Sequence, residues 1–283
     1  MLFMPGNNPA MVQDAAILGA DSIILDLEDA VSLTEKDSAR ILVREAIKTI
    51  DYSDVEVVVR INPLSTDFSK EDIDMISRVK PDILMIPKAT EEDLQEVSRR
   101  LDIIEVEEGF GEKTIKLIPI IETAYGVENV YSIIKASERV EAVLLGAEDL
   151  TSDLGIRRTK EGNEILFARN RVAVACRAMK VDSIDTSFTD TNDFEGLKKD
   201  IILAKSLGMT GKASINPRQI ETIHSIYAPS EEELIHAQRV LHAMEQAEEE
   251  GKGVFSLDGK MVDAPIINRA KTTVALGKQL GLI

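Results

Sequence analysis

Cysteine occurs once in this sequence, at Cys176, and tryptophan not at all. A single thiol excludes an internal disulfide and any C-x-x-C zinc pair. Cys176 itself, in an apolar helical stretch, reads as a small buried hydrophobe. That usage is compatible with a reducing, cytoplasmic compartment. Basic residues are also scarce, 33 against 50 acidic, for a formal charge of -17. Nucleic-acid binding needs clustered Lys and Arg, so no nucleic-acid partner is expected. No apolar run reaches the roughly 18 residues that span a bilayer, so no membrane partner is expected either. The opening Met1-Leu-Phe-Met-Pro-Gly6 lacks a charged segment followed by an apolar one, and is read as carrying no secretory signal.

The 283 residues alternate between short β-branched runs and helical stretches from end to end. Strands are predicted at Leu2–Met4, Ser22–Asp26, Glu56–Ile61, Ile83–Pro87, Lys116–Glu122, Ala142–Gly146, Ser183–Asp185 and Gly211–Ile215, with helical patterns between them. Runs such as Ile23-Ile24-Leu25 and Val143-Leu144-Leu145 are continuously apolar, as in strands buried on both faces of a parallel sheet. Eight such units count out a (β/α)8 TIM barrel. An open doubly wound sheet is the competing architecture, but no Gly-rich nucleotide loop follows any strand. We expect the barrel over residues 1–228 and a C-terminal helical extension over 229–283. The extension carries a flap at 251–265 with a hairpin around Leu257-Asp-Gly259.

In this architecture catalytic side chains stand at the C-terminal ends of strands. Strand two ends in Asp26-Leu-Glu-Asp29, strand three in Arg60-Ile-Asn62, strand four in Pro87-Lys88, strand five in Glu122, and strand six runs into Glu148-Asp149. Glu122 and Asp149 follow adjacent strands, spaced about 5 Å, so both can reach one ion. Oxygen-only ligation suits Mg2+. Either acid could instead cap the next helix, although Thr123 is an equally good cap. Arg60 can clamp a carboxylate or oxyanion through two parallel hydrogen bonds, or pair with Asp26 or Glu28. Lys88 can receive a phosphate or carboxylate, or stand solvated. Lys212 and Arg218 could offer charge to an anionic cofactor tail. His224, His236 and His242 lie in late helical segments and read as surface or packing residues.

With these residues in place, the chain resembles the HpcH/HpaI group of metal-dependent aldolases and lyases, in its citrate lyase beta-chain branch. The resemblance runs through Phe3-Met-Pro-Gly-Asn-Asn8, Leu25-Asp-Leu-Glu-Asp-Ala-Val31, Val59-Arg-Ile-Asn62, Ile86-Pro-Lys88, Ile121-Glu-Thr123, Leu145-Gly-Ala-Glu-Asp149, Gly211-Lys-Ala-Ser-Ile-Asn-Pro-Arg-Gln-Ile220 and Gly259-Lys-Met-Val-Asp-Ala-Pro265. It implies Mg2+ on Glu122 and Asp149, and substrate bound by Arg60, Glu122 and Lys88. It also implies a general base at Asp29 or at Asp263 of the flap, the latter entering this site or a neighbouring protomer's. The aldolase branch uses an Asp–His pair after strand two; Asp26 and Asp29 stand here without a His, which fits the thioester-cleaving branch. The implied reaction cleaves a citryl thioester, on an acyl carrier protein or coenzyme A, to oxaloacetate and an acetyl thioester. The implied partners are acyl carrier (gamma) and transferase (alpha) chains, in a homo-oligomer, trimeric or hexameric. A stand-alone malyl- or citramalyl-coenzyme A lyase or synthase, a malyl-type thioesterase and a vestigial structural subunit are the alternatives.

Overall fold

The computed structural model describes residues 1–249 and 255–283. Eight parallel strands follow one another in chain order: β1 Leu2–Pro5, β2 Ser22–Asp26, β3 Glu56–Arg60, β4 Ile83–Ile86, β5 Lys116–Ile121, β6 Ala142–Leu145, β7 Asp182–Asp185 and β8 Gly211–Lys212. The sheet closes on itself where Leu2 bridges Ser214 in parallel, with Phe3 N donating to Ser214 O at 2.9 Å and Ser214 N to Met1 O at 2.8 Å. Closure leaves no sheet edge, and the fold is TIM-barrel-like, as the strand count predicts. The eighth strand is shorter than the predicted Gly211–Ile215. After Lys212 the chain passes from β7 to β1, and only isolated contacts, Ala213 N to Asp185 O and the Ser214 bridge, continue it.

Helices cover the outside: α1 Pro9–Asp14, α2 Lys36–Thr49, α3 Ser69–Ser77, α4 Glu91–Glu108, α5 Ala124–Lys135, α6 Ala147–Asp153, α7 Leu166–Met179, α8 Phe194–Ser206 and α9 Ile220–Tyr227. Side chains alternate along each strand. Val57 and Val59 of β3 pack outward in the core beneath the helices, whereas Val58 joins Ile24, Met85, Ile118, Ile120, Leu144 and Ile184 inside the barrel. The same parity puts Asp26 in line with Ile24, Arg60 with Val58, Glu122 with Ile120 and Gly146 with Leu144. The polar residues are thus the top layer of the barrel interior.

One polar cluster is fully internal. Arg169 of α7 gives Nε and Nη2 to Asp185 at 2.8 and 2.9 Å and Nη2 to Asp200 of α8 at 2.6 Å. Lys212 gives Nζ to Asp185, Asp200 and the Thr186 carbonyl, each at 2.7 Å. Burial alone would push the Asp200 carboxyl up, but Lys212 and Arg169 hold it below the usual carboxylate range. Lys212 is therefore saturated and enclosed, and the expectation that it offers charge to a cofactor tail is not met. Asp200→Ala should destabilise the fold by about 3–5 kcal/mol in urea unfolding, because two buried cations lose a shared partner.

Clustering of the chain separates two compact units, Met1–Ile223 and His224–Ile283. The second contains α10 Glu231–Glu249, the antiparallel pair β9 Phe255–Leu257 and β10 Lys260–Val262, and α11 Ala264–Gln279. Its core gathers Ala237, Val240, Val262 and Ala270. The hairpin turns at Asp258 and Gly259, both at positive φ (53° and 75°), as the Asp-Gly pair predicts for a two-residue turn. Of the expected flap, residues 251–254 lie outside the described residues. No helix among the described residues is long and apolar enough to cross a membrane. Cys176 is buried, and burial pushes its thiol up to about 12.

Candidate active site

The mouth of the barrel is organised around Asp26. As the last residue of β2, it accepts the backbone N–H of Glu28 at 2.9 Å and of Ala30 at 3.1 Å, which folds the Leu27–Ala30 segment over the strand end. The same carboxylate takes Arg60 Nε at 2.7 Å and Nη2 at 2.6 Å, its paired neighbour in register. Arg60 Nη1 stands 2.8 Å from Glu28 Oε2 and 3.7 Å from Asp29 Oδ2, and the guanidinium lies 5.0 Å over the Phe3 ring. The structural pairing weighed for Arg60 is thus realised, and the side chain still borders the cavity. Lys36, buried, clamps this loop by donating to the carbonyls of Leu27 at 2.7 Å and Glu28 at 2.6 Å.

Opposite, Lys88 follows β4 with a left-handed backbone (φ 48°). Its N–H donates to Glu122 Oε1 at 2.7 Å, and its Nζ meets Asp149 Oδ2 at 2.6 Å, Glu28 Oε1 at 3.4 Å and Glu122 Oε1 at 3.8 Å. Lys88 is therefore the point on which three carboxylates converge, although its side chain stays 41% exposed. The capping alternatives resolve. Thr123 caps α5, its hydroxyl accepting Gly126 N at 3.0 Å, which leaves Glu122 free of that duty. Asp149 sits inside the first turn of α6 and turns to Lys88 instead of capping.

Glu122 is 4% exposed. Burial pushes its carboxyl up to about 8; Lys88 opposes that, while Glu28 and Asp149 add to it. A buried carboxylate with this raised affinity for positive charge, facing a second carboxylate across one cation, is a donor set that suits a hard divalent ion. Among the described residues, no three His, Cys, Asp or Glu side chains could hold an ion by themselves. An ion on Glu122 and Asp149 would accordingly take its other oxygens from substrate and water.

Gly146 makes room for Glu122. A Cβ there would stand 2.5 Å from Oε2 and 2.7 Å from Cβ of Glu122. Gly146→Ala should leave the barrel folded, at a cost of about 1–3 kcal/mol, while displacing Glu122. Calorimetric titration should then show Mg2+ binding weakened by roughly 10–100-fold, and unaltered binding would show that Glu122 is not held by this contact.

The cavity beside these residues has a volume of about 410 Å3 and is bordered by Asp29, Arg60, Glu122, Asp149 and, from the β7 side, Thr186, Ser187 and Thr189. The structure thus brings Asp29, Arg60, Lys88, Glu122 and Asp149 to one mouth. Asp263 precedes α11 in the second unit, with no capping hydrogen bond from its side chain. Arg218 lies at the surface, its guanidinium against Asn216 and Asn192. Sequence reasoning missed Lys36 and the β7 loop. Neither carries a motif, although Thr186 shares the inward parity of Ile184.

Residues 1–217 match the family model HpcH/HpaI aldolase/citrate lyase. The chain belongs to the HpcH/HpaI aldolase/citrate lyase family. Within this lyase family, citrate lyase subunit beta of Leuconostoc mesenteroides subsp. cremoris is 46% identical over 284 residues, spanning 100% of this chain and 94% of that one. Mitochondrial citramalyl-CoA lyase of Homo sapiens is 30% identical, over 99% of this chain and 85% of that one. Among solved structures of the family, CitE from Mycobacterium tuberculosis, in complex with magnesium, acetoacetate and coenzyme A, has a TM-score of 0.82 and 29% identity. It covers 98% of this chain and 97% of its own.

Proposed function

We propose that this chain cleaves a carbon–carbon bond in a citryl thioester, releasing oxaloacetate and an acetyl thioester, as a citrate lyase beta chain. The observation that supports the reading best is the convergence of Glu122 and Asp149 on one cation beside Arg60. These two carboxylates would hold Mg2+, which when bound supplies Lewis acidity to the hydroxyl and adjacent carboxylate of the substrate. Asp29, exposed at the cavity edge, takes the hydroxyl proton. The bond between the carbinol carbon and the methylene next to the thioester carbonyl then breaks. Its electron pair moves into the thioester enolate, and the methylene regains one proton to become the acetyl methyl. Arg60, oriented by Asp26 and Phe3, steadies negative charge on the keto-acid side, and Lys88 keeps the acidic wall from repelling an anionic substrate. Asp263 of the flap is the alternative base, in this subunit or a neighbour's.

The carrier in this reading is a phosphopantetheine arm on an acyl carrier (gamma) chain, with coenzyme A as substitute, and a transferase (alpha) chain completes the complex. The chain forms a homo-oligomer, trimeric or hexameric, in the cytoplasm. A stand-alone lyase for citramalyl or malyl thioesters is the second reading, favoured by more distant relatives such as the citramalyl-CoA lyase. Incubating the purified chain and Mg2+ with citryl-, citramalyl- and malyl-coenzyme A, and following keto acid and thiol, tests both. Oxaloacetate from citryl-coenzyme A is the expected result. Thiol release without keto acid indicates a thioesterase and defeats the proposal.

A further inference from the structure

The cavity's polar groups are unevenly matched to a citryl substrate. Among the described residues, Arg60 is the cation that lines it, and Nε and Nη2 of that side chain are committed to Asp26 while Nη1 faces Glu28. Asp29, Glu148 and Asp149 add negative charge to the same walls. The substrate's hydroxyl and adjacent carboxylate are served by the machinery already described. Its carboxymethyl arm brings a second carboxylate, which needs hydrogen-bond donors of its own once it leaves water.

Neutral donors stand on the loop after β7, which also borders the cavity. That loop is pinned at two places. Thr186 accepts Ala147 N on its hydroxyl at 3.2 Å and Lys212 Nζ on its carbonyl at 2.7 Å. Phe188 is buried, and its carbonyl accepts Gln219 Nε2 at 2.9 Å. Gln219 is fixed in turn by Ser214 Oγ, also at 2.9 Å. Packing is close enough that a Cβ on Gly196 of α8 would stand 2.8 Å from the Phe188 ring. Ser187, between the pins, and Thr189, just beyond them, border the cavity, and neither hydroxyl has a hydrogen-bond partner among the described residues. Ser187, held between two pinned residues, is a preorganised donor for which little ordering remains when a ligand arrives, and Thr189, exposed one residue further on, adds a second hydroxyl at the cavity edge.

We propose that Ser187 and Thr189 bind the carboxylate of the carboxymethyl arm and so set a preference for citryl over citramalyl thioesters, in which a methyl replaces that arm. The assignment rests on the lyase reading above. A site built to hydrogen-bond a polar group discriminates against the analogue that lacks it more strongly than an apolar pocket discriminates on size.

The test compares the full-length wild type with Ser187→Ala, Thr189→Val and the double variant. Two quantities are read in the presence of Mg2+: the ratio of oxaloacetate to pyruvate affinity by calorimetry, and the ratio of kcat/KM for citryl- and citramalyl-coenzyme A. Both substitutions remove hydroxyls without partners, so thermal melting should stay at the wild-type value. Wild type should favour oxaloacetate and the citryl thioester, and the double variant should lose at least about tenfold of each preference. Wild-type ratios in the double variant, with wild-type turnover intact, overturn this assignment alone. A wild type that releases no keto acid from either thioester overturns the lyase reading and this assignment together.

Discussion

Arg60→Lys should lower citryl-thioester turnover by roughly 10²–10³-fold while the barrel stays folded. Lysine keeps a positive charge for Asp26 but cannot make two parallel hydrogen bonds to it, nor hold a planar donor set over the cavity. Alanine at the same position is a poorer experiment. Asp26 is 1% exposed and takes Arg60 on both oxygens beside the N–H groups of Glu28 and Ala30, so Arg60→Ala would leave a buried carboxylate without its hydrogen-bonded cation. We expect that variant to lose about 3–5 kcal/mol of stability as well as activity. Kinetics of the lysine variant, alongside urea unfolding of both, separate the two effects. Near-normal turnover in Arg60→Lys would remove arginine from the chemistry and leave it a structural role alone.

Glu122→Gln should weaken Mg2+ binding by at least about 100-fold without unfolding the protein. The amide oxygen can still accept the Lys88 N–H, and neutralising a side chain this buried removes a desolvation cost. The wild-type carboxyl, raised to about 8 chiefly by burial, also fixes a pH dependence. Below that value it holds a proton that an ion must displace, so Mg2+ affinity should fall about tenfold for each pH unit below 8 and level off above it. Folding stability without added metal runs the opposite way. The folded chain keeps the proton that the unfolded chain loses from about pH 4.5, so this group's contribution is full at low pH and declines up to about 8. The increase in melting temperature on adding Mg2+ should therefore grow with pH, and the growth should vanish in Glu122→Gln. A flat Mg2+ affinity between pH 6 and 8 in the wild type would falsify the assignment of Glu122 as a ligand.

The barrel, and the strand ends from which its site is built, follow from local pattern. Runs such as Ile83–Ile86 and Ala142–Leu145 have no polar face, and the only packing that hides both faces is a parallel sheet with helices outside and side chains within. A polar residue that ends such a run and keeps the inward parity, as Asp26, Arg60 and Glu122 do, can point only into the mouth. Asp29, Lys88 and Asp149 follow their strands closely enough to arrive there too. The Asp-Gly turn of the second hairpin is legible for a similar reason, because two consecutive positive φ values favour few other residues.

Only tertiary structure decided which charges meet. Lys212 ends β8 and Lys88 stands just after β4, and the two look alike in sequence. Closure of the barrel puts one between Asp185 and Asp200 and the other among Glu28, Glu122 and Asp149. Whether Arg60 was a clamp or a brace depended on its register with Asp26, which a strand does not reveal without its neighbour. The β7 loop was invisible for the same reason. Its pins come from α6, β8 and Gln219, and a loop held at a distance leaves no periodicity in its own residues. Periodicity records what a segment does with its own backbone. Electrostatics depends on distance in space, and the chain's closure fixed that.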